Sequence, residues 1–243
     1  MDEREAQARI DLTAALRWAA RLGLNEGVCN HFSLAVTDDG TEYLINPQGF
    51  QWSELTAGDL MRLNVNGTVV SGRHSVEPTA FHIHGRVHYR LPHAAAVLHT
   101  HMPNATALTA IEGGELKPLY ISGLRFYDRV AYDDHFNGVA LSDEEGDRIA
   151  RSLGNKPVCM MGNHGVMVTG PDMAWGFDTL YYLERHAAIQ IKAMSTGRPL
   201  KCVPDDIAAL SAQQIEGEDQ QAYLHFASIK RILDREEPEY RSM

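Results

Sequence analysis

His99-Thr-His101 ends a short apolar run that lies between Pro92 and Pro103. A run of that length, flanked by prolines, predicts a buried strand rather than a helix. On a strand alternate side chains share a face, so His99 and His101 point together and Thr100 points away. Two imidazoles whose Cα atoms are roughly 7 Å apart can converge on one metal ion, which takes each nitrogen at about 2.0–2.1 Å. Taken alone, the pair fits two hydrogen-bonded strand-end histidines equally well. His164, in Asn163-His-Gly165, offers a third imidazole on a turn where glycine lets the backbone come close; its alternative is a packing histidine bonded to backbone. Three neutral imidazoles with an open position make a catalytic rather than a structural metal site. An ion there acts as a Lewis acid on a carbonyl or on a developing enediolate oxygen. That chemistry needs a base, and Glu77, just ahead of a helix beginning at Pro78, is the nearest upstream carboxylate. It serves equally well as a helix N-terminal carboxylate favoured by the dipole, by about 0.3–1 kcal/mol.

Seven of the twelve histidines lie between His74 and His101, and imidazole is both the commonest metal ligand and a good acid–base group. His84 and His88 form a rival pair, four apart on one helical face. The zinc-protease helix with that spacing needs a glutamate after its first histidine. Gly85-Arg86 stand there instead, so the protease reading fails, and the two are read as packing or supporting residues.

These groups must be held by an ordinary single core. The chain has 243 residues, is 44% apolar and carries a formal net charge of −10, with no basic cluster longer than a pair. Nucleic acid is excluded as a partner, because its phosphates demand concentrated positive charge. No apolar run is long enough for a membrane span, and the charged N-terminus lacks the core of a signal peptide. Three widely spaced cysteines (Cys29, Cys159, Cys202) point to a reducing cytoplasm and to no disulfide framework.

Helical periodicity runs from Glu3 to Leu22, with Gly23 as the stop. Asp39-Gly40 and Asn66-Gly67 mark hairpin turns, the first leading into a strand at Glu42–Ile45, the second joining Met61–Val65 to Thr68–Val70. A helix is expected from Pro78 to about Leu91, then the strand Ala94–His101 and a short helix after Pro103. Residues 112–134 read as mixed strand and loop. Ser142-Asp-Glu-Glu145 is a capping box for a helix to about Leu153. Strands at Val158–Met161 and Val166–Val168 precede a helix from Asp172 to about Thr196, and two weaker helices cover 204–214 and 219–235. Antiparallel strands with helices between and after them predict one α/β or α+β layered domain over residues 1–243, with a C-terminal helical tail from about residue 203.

With its landmarks in order, the chain resembles the class II aldolase/adducin family from about Leu12 to Pro199. The residues that carry the likeness are Arg21-Leu-Gly-Leu-Asn25, Asn30 with Ser33, Leu44-Ile-Asn-Pro-Gln-Gly49, Val97-Leu-His-Thr-His101, Asn163-His-Gly165, and Leu183-Glu184 with Gln190. Ile45-Asn-Pro47, and Tyr132 with Gly138, bring it nearer the adducin-like bacterial branch than fuculose-phosphate aldolase or ribulose-phosphate epimerase. The resemblance implies a three-layer α/β/α fold around a central, mostly antiparallel sheet. It also implies a homotetramer with active sites at subunit interfaces. It maps three zinc-binding histidines onto His99, His101 and His164, and a proton-transfer glutamate onto Glu77.

Two positions depart from the family. Anchoring the comparison on His84 and Pro92 puts Ala80 at the base position. The family's phosphate cradle maps onto Asn30-His31, Gln48-Gly49 and Ser75-Val76, where His31, Gln48 and Val76 are bulkier or less suited than the small residues expected. A free hydroxy- or oxo-acid is therefore expected in place of a phosphorylated substrate. Its carboxylate would meet His31 or an arginine such as Arg125 or Arg129, unless those two are surface residues. The substrate-binding candidates are thus Asn30, His31, Gln48, Gly49 and Ser75. Tyr127 is the catalytic tyrosine expected beside Glu77, with Tyr120 and Tyr132 as alternatives.

The expected activity is a divalent-metal-dependent carbon–carbon lyase cleaving a small hydroxy-carbonyl or sugar-acid substrate through a metal-stabilised enediolate. Zn2+ is the expected ion, and imidazole also suits Mn2+ or Co2+. A decarboxylase sharing that intermediate is the close alternative, since it needs no initial proton abstraction. The non-enzymatic alternative is an adducin-like interaction module, which has no need to keep three histidines.

Overall fold

The computed structural model describes residues 2–91, 93–138, 142–218 and 220–243. Pro92, which bounds the His99 run, and Asp219, the expected start of the last helix, lie outside them.

Helix α1 (Glu3–Arg21) begins at Asp2, whose carboxylate accepts from the Glu5 N–H at 2.8 Å, and the chain turns off at Gly23 with φ +68°. Strands β1 (His31–Ala35), β2 (Glu42–Ile45), β3 (Met61–Asn64) and β4 (Val69–Ser71) follow as hairpins. The rod expected after Glu77 is three pieces: α2 (Pro78–Ala80), a π-helical turn (Phe81–Gly85) and α3 (Arg86–Arg90). Next come β5 (Ala96–Thr100), α4 (Pro103–Thr109), a 3-10 turn (Ile121–Phe126) and β6 (Val130–Asp133). In α5 (Asp143–Leu153) the Ser142 hydroxyl accepts from Glu145 N–H at 3.4 Å. The chain ends with β7 (Val158–Met161), β8 (Gly165–Gly170), α6 (Met173–Met194), α7 (Asp205–Glu216) and α8 (Gln220–Glu236).

The strands form one eight-stranded sheet in the order β4-β3-β2-β1-β5-β8-β7-β6. Every neighbouring pair is antiparallel except β6 and β7. The period-two alternation of β5 divides two helical layers. Ala96 and Leu98 enter one apolar cluster with Leu16 of α1, Leu108 of α4, Leu180 of α6 and Ile229 of α8. Val97 enters another with Ile83, Val87, Ile149 and Leu153 from the π-helical turn, α3 and α5. The fold is therefore the three-layer α/β/α arrangement expected, with a mostly antiparallel sheet at its centre. Each fully buried side chain of this kind contributes roughly 1.5–3 kcal/mol. His99 shares Val97's parity, so it faces the π-helical layer rather than α6.

The helices beyond Val203 pack on this body, α7 on the 3-10 turn and α8 on α6. Arg17 of α1 reaches Glu237 at 2.8 Å and Glu239 at 2.9 Å. Among the described residues no helix is long and apolar enough to cross a membrane.

Candidate metal centre

Central strand β5 delivers His99 into the space beneath the π-helical turn, and His101 follows one residue beyond the strand end. His164 arrives on the turn between β7 and β8, with Asn163 at φ +54°. That turn can come so close only because residue 165 is glycine. A Cβ there would lie 2.7 Å from Cδ2 of His101 and 2.8 Å from the Thr100 carbonyl oxygen. The three rings form a near-equilateral triangle, with centroid separations of 5.0 Å (His99–His101), 4.9 Å (His99–His164) and 5.1 Å (His101–His164). One ligand nitrogen from each lies within 4.8 Å of the others.

Two of the rings are turned by contacts on their outer nitrogens. His99 Nδ1 lies 2.9 Å from the Val166 carbonyl, which can only accept, so Nδ1 carries the proton and Nε2 the lone pair. His101 Nδ1 lies 2.6 Å from a carboxylate oxygen of Glu26, and its buried Nε2 has no partner. A backbone carbonyl or carboxylate behind a histidine in this way fixes the tautomer and raises its basicity toward a metal. Burial and the neighbouring imidazoles hold His99 well below the usual histidine range, and burial takes His164 down to about 4. Three imidazole nitrogens brought this close together suit a divalent cation, so the triad fits the ion that the sequence implied.

The triad opens into a cavity of about 370 Å³ also lined by Asn30, His31, Glu77, His84, Ile83 and Phe136. Asn30 holds a left-handed backbone at φ +76°, and its Oδ1 accepts from the N–H groups of Glu26 (3.1 Å) and His101 (3.3 Å). It thereby ties the loop carrying Glu26 to the end of β5. Its buried Nδ2 has no partner, leaving a donor on the cavity wall. His31 pairs across β1 and β5 with His99, and its Nε2 lies 3.1 Å from Oε2 of Glu77. The Thr79 hydroxyl donates to the other Glu77 oxygen at 2.8 Å. The His31 ring nitrogen beside it, then the Thr79 hydroxyl, outweigh burial and hold Glu77 below its ordinary value, so it is a carboxylate at neutral pH.

The sequence match agrees with this geometry. A family model described as Class II Aldolase and Adducin N-terminal domain matches residues 10–191. The chain belongs to the class II aldolase/adducin family. A protein of Caulobacter vibrioides named for the class 2 aldolases is 33% identical over 99% of this chain and 94% of its own. Decarboxylase NovR of Streptomyces niveus is 29% identical over 96% of this chain and 87% of its own. The crystal structure of an aldolase II superfamily protein from Pseudomonas syringae has a TM-score of 0.93 at 31% identity, covering 100% of this chain and 98% of that one.

Not every residue expected from the sequence reaches the cavity of this class II aldolase/adducin member. Glu77 lines it, whereas Ala80, at the position the family anchors suggested, is a buried methyl packed with Tyr43 and Leu63. Gln48, Gly49 and Ser75 are exposed and do not line it, although Gln48 N–H donates to the Ser75 carbonyl at 2.9 Å. The second and third segments of the expected cradle are therefore joined to each other, two residues from Glu77. Tyr127 is a correction. It lies beside a different cavity, with Lys117, Asp128 and Val130, and hydrogen-bonds Asp205. Tyr132 is also committed, its hydroxyl accepting from Leu116 N–H at 3.0 Å. Arg125 and Arg129 border a cavity of about 70 Å³ away from the triad and are paired with Asp178 (2.7 Å) and Glu216 (2.9 Å). The family landmarks Glu184 and Gln190 are structural. Glu184 accepts three hydrogen bonds at the start of α4, and Gln190 brackets the 115–117 backbone.

Sequence reasoning missed Glu26 and gave Ser33 and His84 no role in the cavity. Glu26 is 75 residues from His101 in the chain, and nothing local marks it. The π-helical turn that brings His84 to the cavity has no sequence signature, although such turns recur at functional sites.

Proposed function

We propose that the protein is a divalent-metal-dependent lyase that cleaves a carbon–carbon bond in a small hydroxy-carbonyl or sugar-acid substrate. The carrying observation is the convergence of three imidazoles, two with their outer nitrogens held by Val166 and Glu26, in one cavity with an ionised glutamate. His99, His101 and His164 would hold the ion, most plainly zinc given an all-imidazole donor set, with manganese or cobalt as alternatives. When bound, the ion supplies Lewis-acid stabilisation of the enediolate charge left by cleavage. Glu77 is the proton-transfer group: it is ionised, faces the cavity and is oriented by His31 and Thr79. Asn30 Nδ2 donates to a substrate oxygen, and His31 helps to hold the substrate's polar end. Gln48, Gly49 and Ser75 would extend that subsite only at its rim. The protein is further proposed to act as a homotetramer in the cytoplasm; light scattering that gives a monomer mass would overturn that assembly.

A second reading has a specific observation behind it. The likeness to decarboxylase NovR runs nearly the full length of both chains, and loss of carbon dioxide would leave the same enediolate-like charge at the same place. The deciding experiment is a screen of hydroxy- and oxo-acids, with and without phosphate, on zinc- or manganese-loaded protein, assayed for both aldehyde and carbon dioxide. Aldehyde release supports the aldolase-type lyase, and carbon dioxide alone supports the decarboxylase. Fewer than about one ion per two subunits after loading would instead favour an adducin-like interaction module.

A further inference from the structure

His84 is fully buried, lines the same cavity as the triad, and has no hydrogen-bond partner at Nε2. Its other ring nitrogen belongs to a chain of hydrogen bonds that has one consistent polarity. The Ala94 carbonyl can only accept, so its 3.0 Å contact with His88 Nδ1 places a proton on that nitrogen. Burial holds His88 neutral, with its pKa down at about 4, so His88 Nε2 is a lone pair. The Ser33 hydroxyl, 2.8 Å away, must therefore donate to it. Ser33 has one proton to give, so its oxygen accepts at the 2.7 Å contact with His84, and the proton there sits on His84 Nδ1. Burial keeps His84 neutral as well, which leaves its Nε2 as a bare acceptor on the cavity wall.

We propose that His84 Nε2 accepts a hydrogen bond from a hydroxyl of the substrate, and that Ser33, His88 and the Ala94 carbonyl set this polarity from behind, making the site selective for a hydroxy compound over its oxo counterpart. The inference rests on the lyase reading for there being a substrate in this cavity. An oxo oxygen facing His84 would set two acceptors against each other and leave both unpaired in a buried place. A site built to pair with a hydroxyl discriminates strongly against an analogue that lacks it. Asn30 Nδ2 is the complementary donor, so the cavity asks for a donor at one point and an acceptor at another. His84 is the residue that touches substrate; Ser33 and His88 are positioning residues.

Two measurements test this. Nitrogen-15 NMR of ring-labelled, metal-free protein reads the tautomers: His84 and His88 are both expected as the Nδ1–H form. Ser33→Ala should shift the His84 ring signals, and Ser33→Thr should keep them. A proton on His84 Nε2 in the unaltered protein overturns the proposal. In the second, calorimetry on zinc-loaded protein compares lactate with pyruvate, which differ only in hydroxyl against oxo. Lactate should be preferred by about tenfold or more, with the preference lost in Ser33→Ala, restored in Ser33→Thr, and zinc content equal in all three. Equal affinities in the unaltered protein, or a preference that survives Ser33→Ala, overturn the selectivity. Failure of the unaltered protein to take up zinc would count against the lyase reading, while the metal-free spectra still decide the polarity of His84.

Discussion

Arg125 and His101 each sit against a carboxylate, yet the two pairs leave their surroundings in opposite electrostatic states. Arg125 Nη1 donates to Asp178 at 2.7 Å, His225 approaches the same carboxylate at 2.7 Å, and the guanidinium lies over the Tyr182 ring. There the carboxylate is matched and the guanidinium is stacked, with only its buried Nε left without a partner. At His101 the Glu26 carboxylate accepts from Nδ1 at 2.6 Å, and the buried Nε2, without a partner, lies close to two more imidazoles. Three ring nitrogens within 4.8 Å of one another suit a cation between them. An ion pair that completes itself is structure; one that exposes an unmatched donor set is a site.

The difference can be broken by substitution. His101→Ala or His99→Ala should abolish stoichiometric metal uptake and lower any lyase turnover by about a thousandfold or more; metal analysis alone checks the first part, and full metal content in either variant would mean that the site is misassigned. Glu77→Gln should keep the metal and lose about 10²- to 10⁴-fold in turnover, so a variant that loses metal and activity together would make Glu77 a ligand instead of a base. On the other side of the comparison, Arg125→Met leaves Asp178 buried with His225 alone. It should cost roughly 3 kcal/mol of stability in urea unfolding with zinc uptake untouched. Glu26→Gln should weaken metal affinity by about 10- to 100-fold, read by competition with a chelator; no change would show that Glu26 does not tune His101.

The acid limb of stability tests the buried histidines themselves. Burial lowers His88 and His186 to about 4 from an ordinary 6.5. Between those values the unfolded chain binds protons that the folded chain refuses, so stability falls as pH drops from 6.5 toward 4. Each such histidine contributes about 1.4 kcal/mol per pH unit across that window. A urea midpoint of metal-free protein that stays flat from pH 7 to pH 5 would contradict their neutral burial.

Much of the sheet was legible because its determinants are local. Asp39-Gly40 and Asn66-Gly67 turn where their backbone preferences require, and Ser142 and Asp172 start helices by accepting nearby N–H groups. The alternation along β5 alone predicts that His99 shares a face with Val97. Tyr127 was not legible, since proximity along the chain to other polar residues says nothing about which cavity a side chain enters. The parallel pairing of β6 with β7 and the π-helical turn were equally hidden, because each depends on contacts with distant segments.

By itself, then, the sequence determined the family, the layered sheet, the three histidines and the net acidic character. These follow from residue identity, short-range backbone preference and period-two patterning. Only the tertiary structure decided what each imidazole presents. The proton positions on His99, His101 and His84 are set by Val166, Glu26 and Ser33, which lie 67, 75 and 51 residues away along the chain. A neutral imidazole has one proton for two nitrogens, and which nitrogen keeps it depends on what the fold places behind the ring.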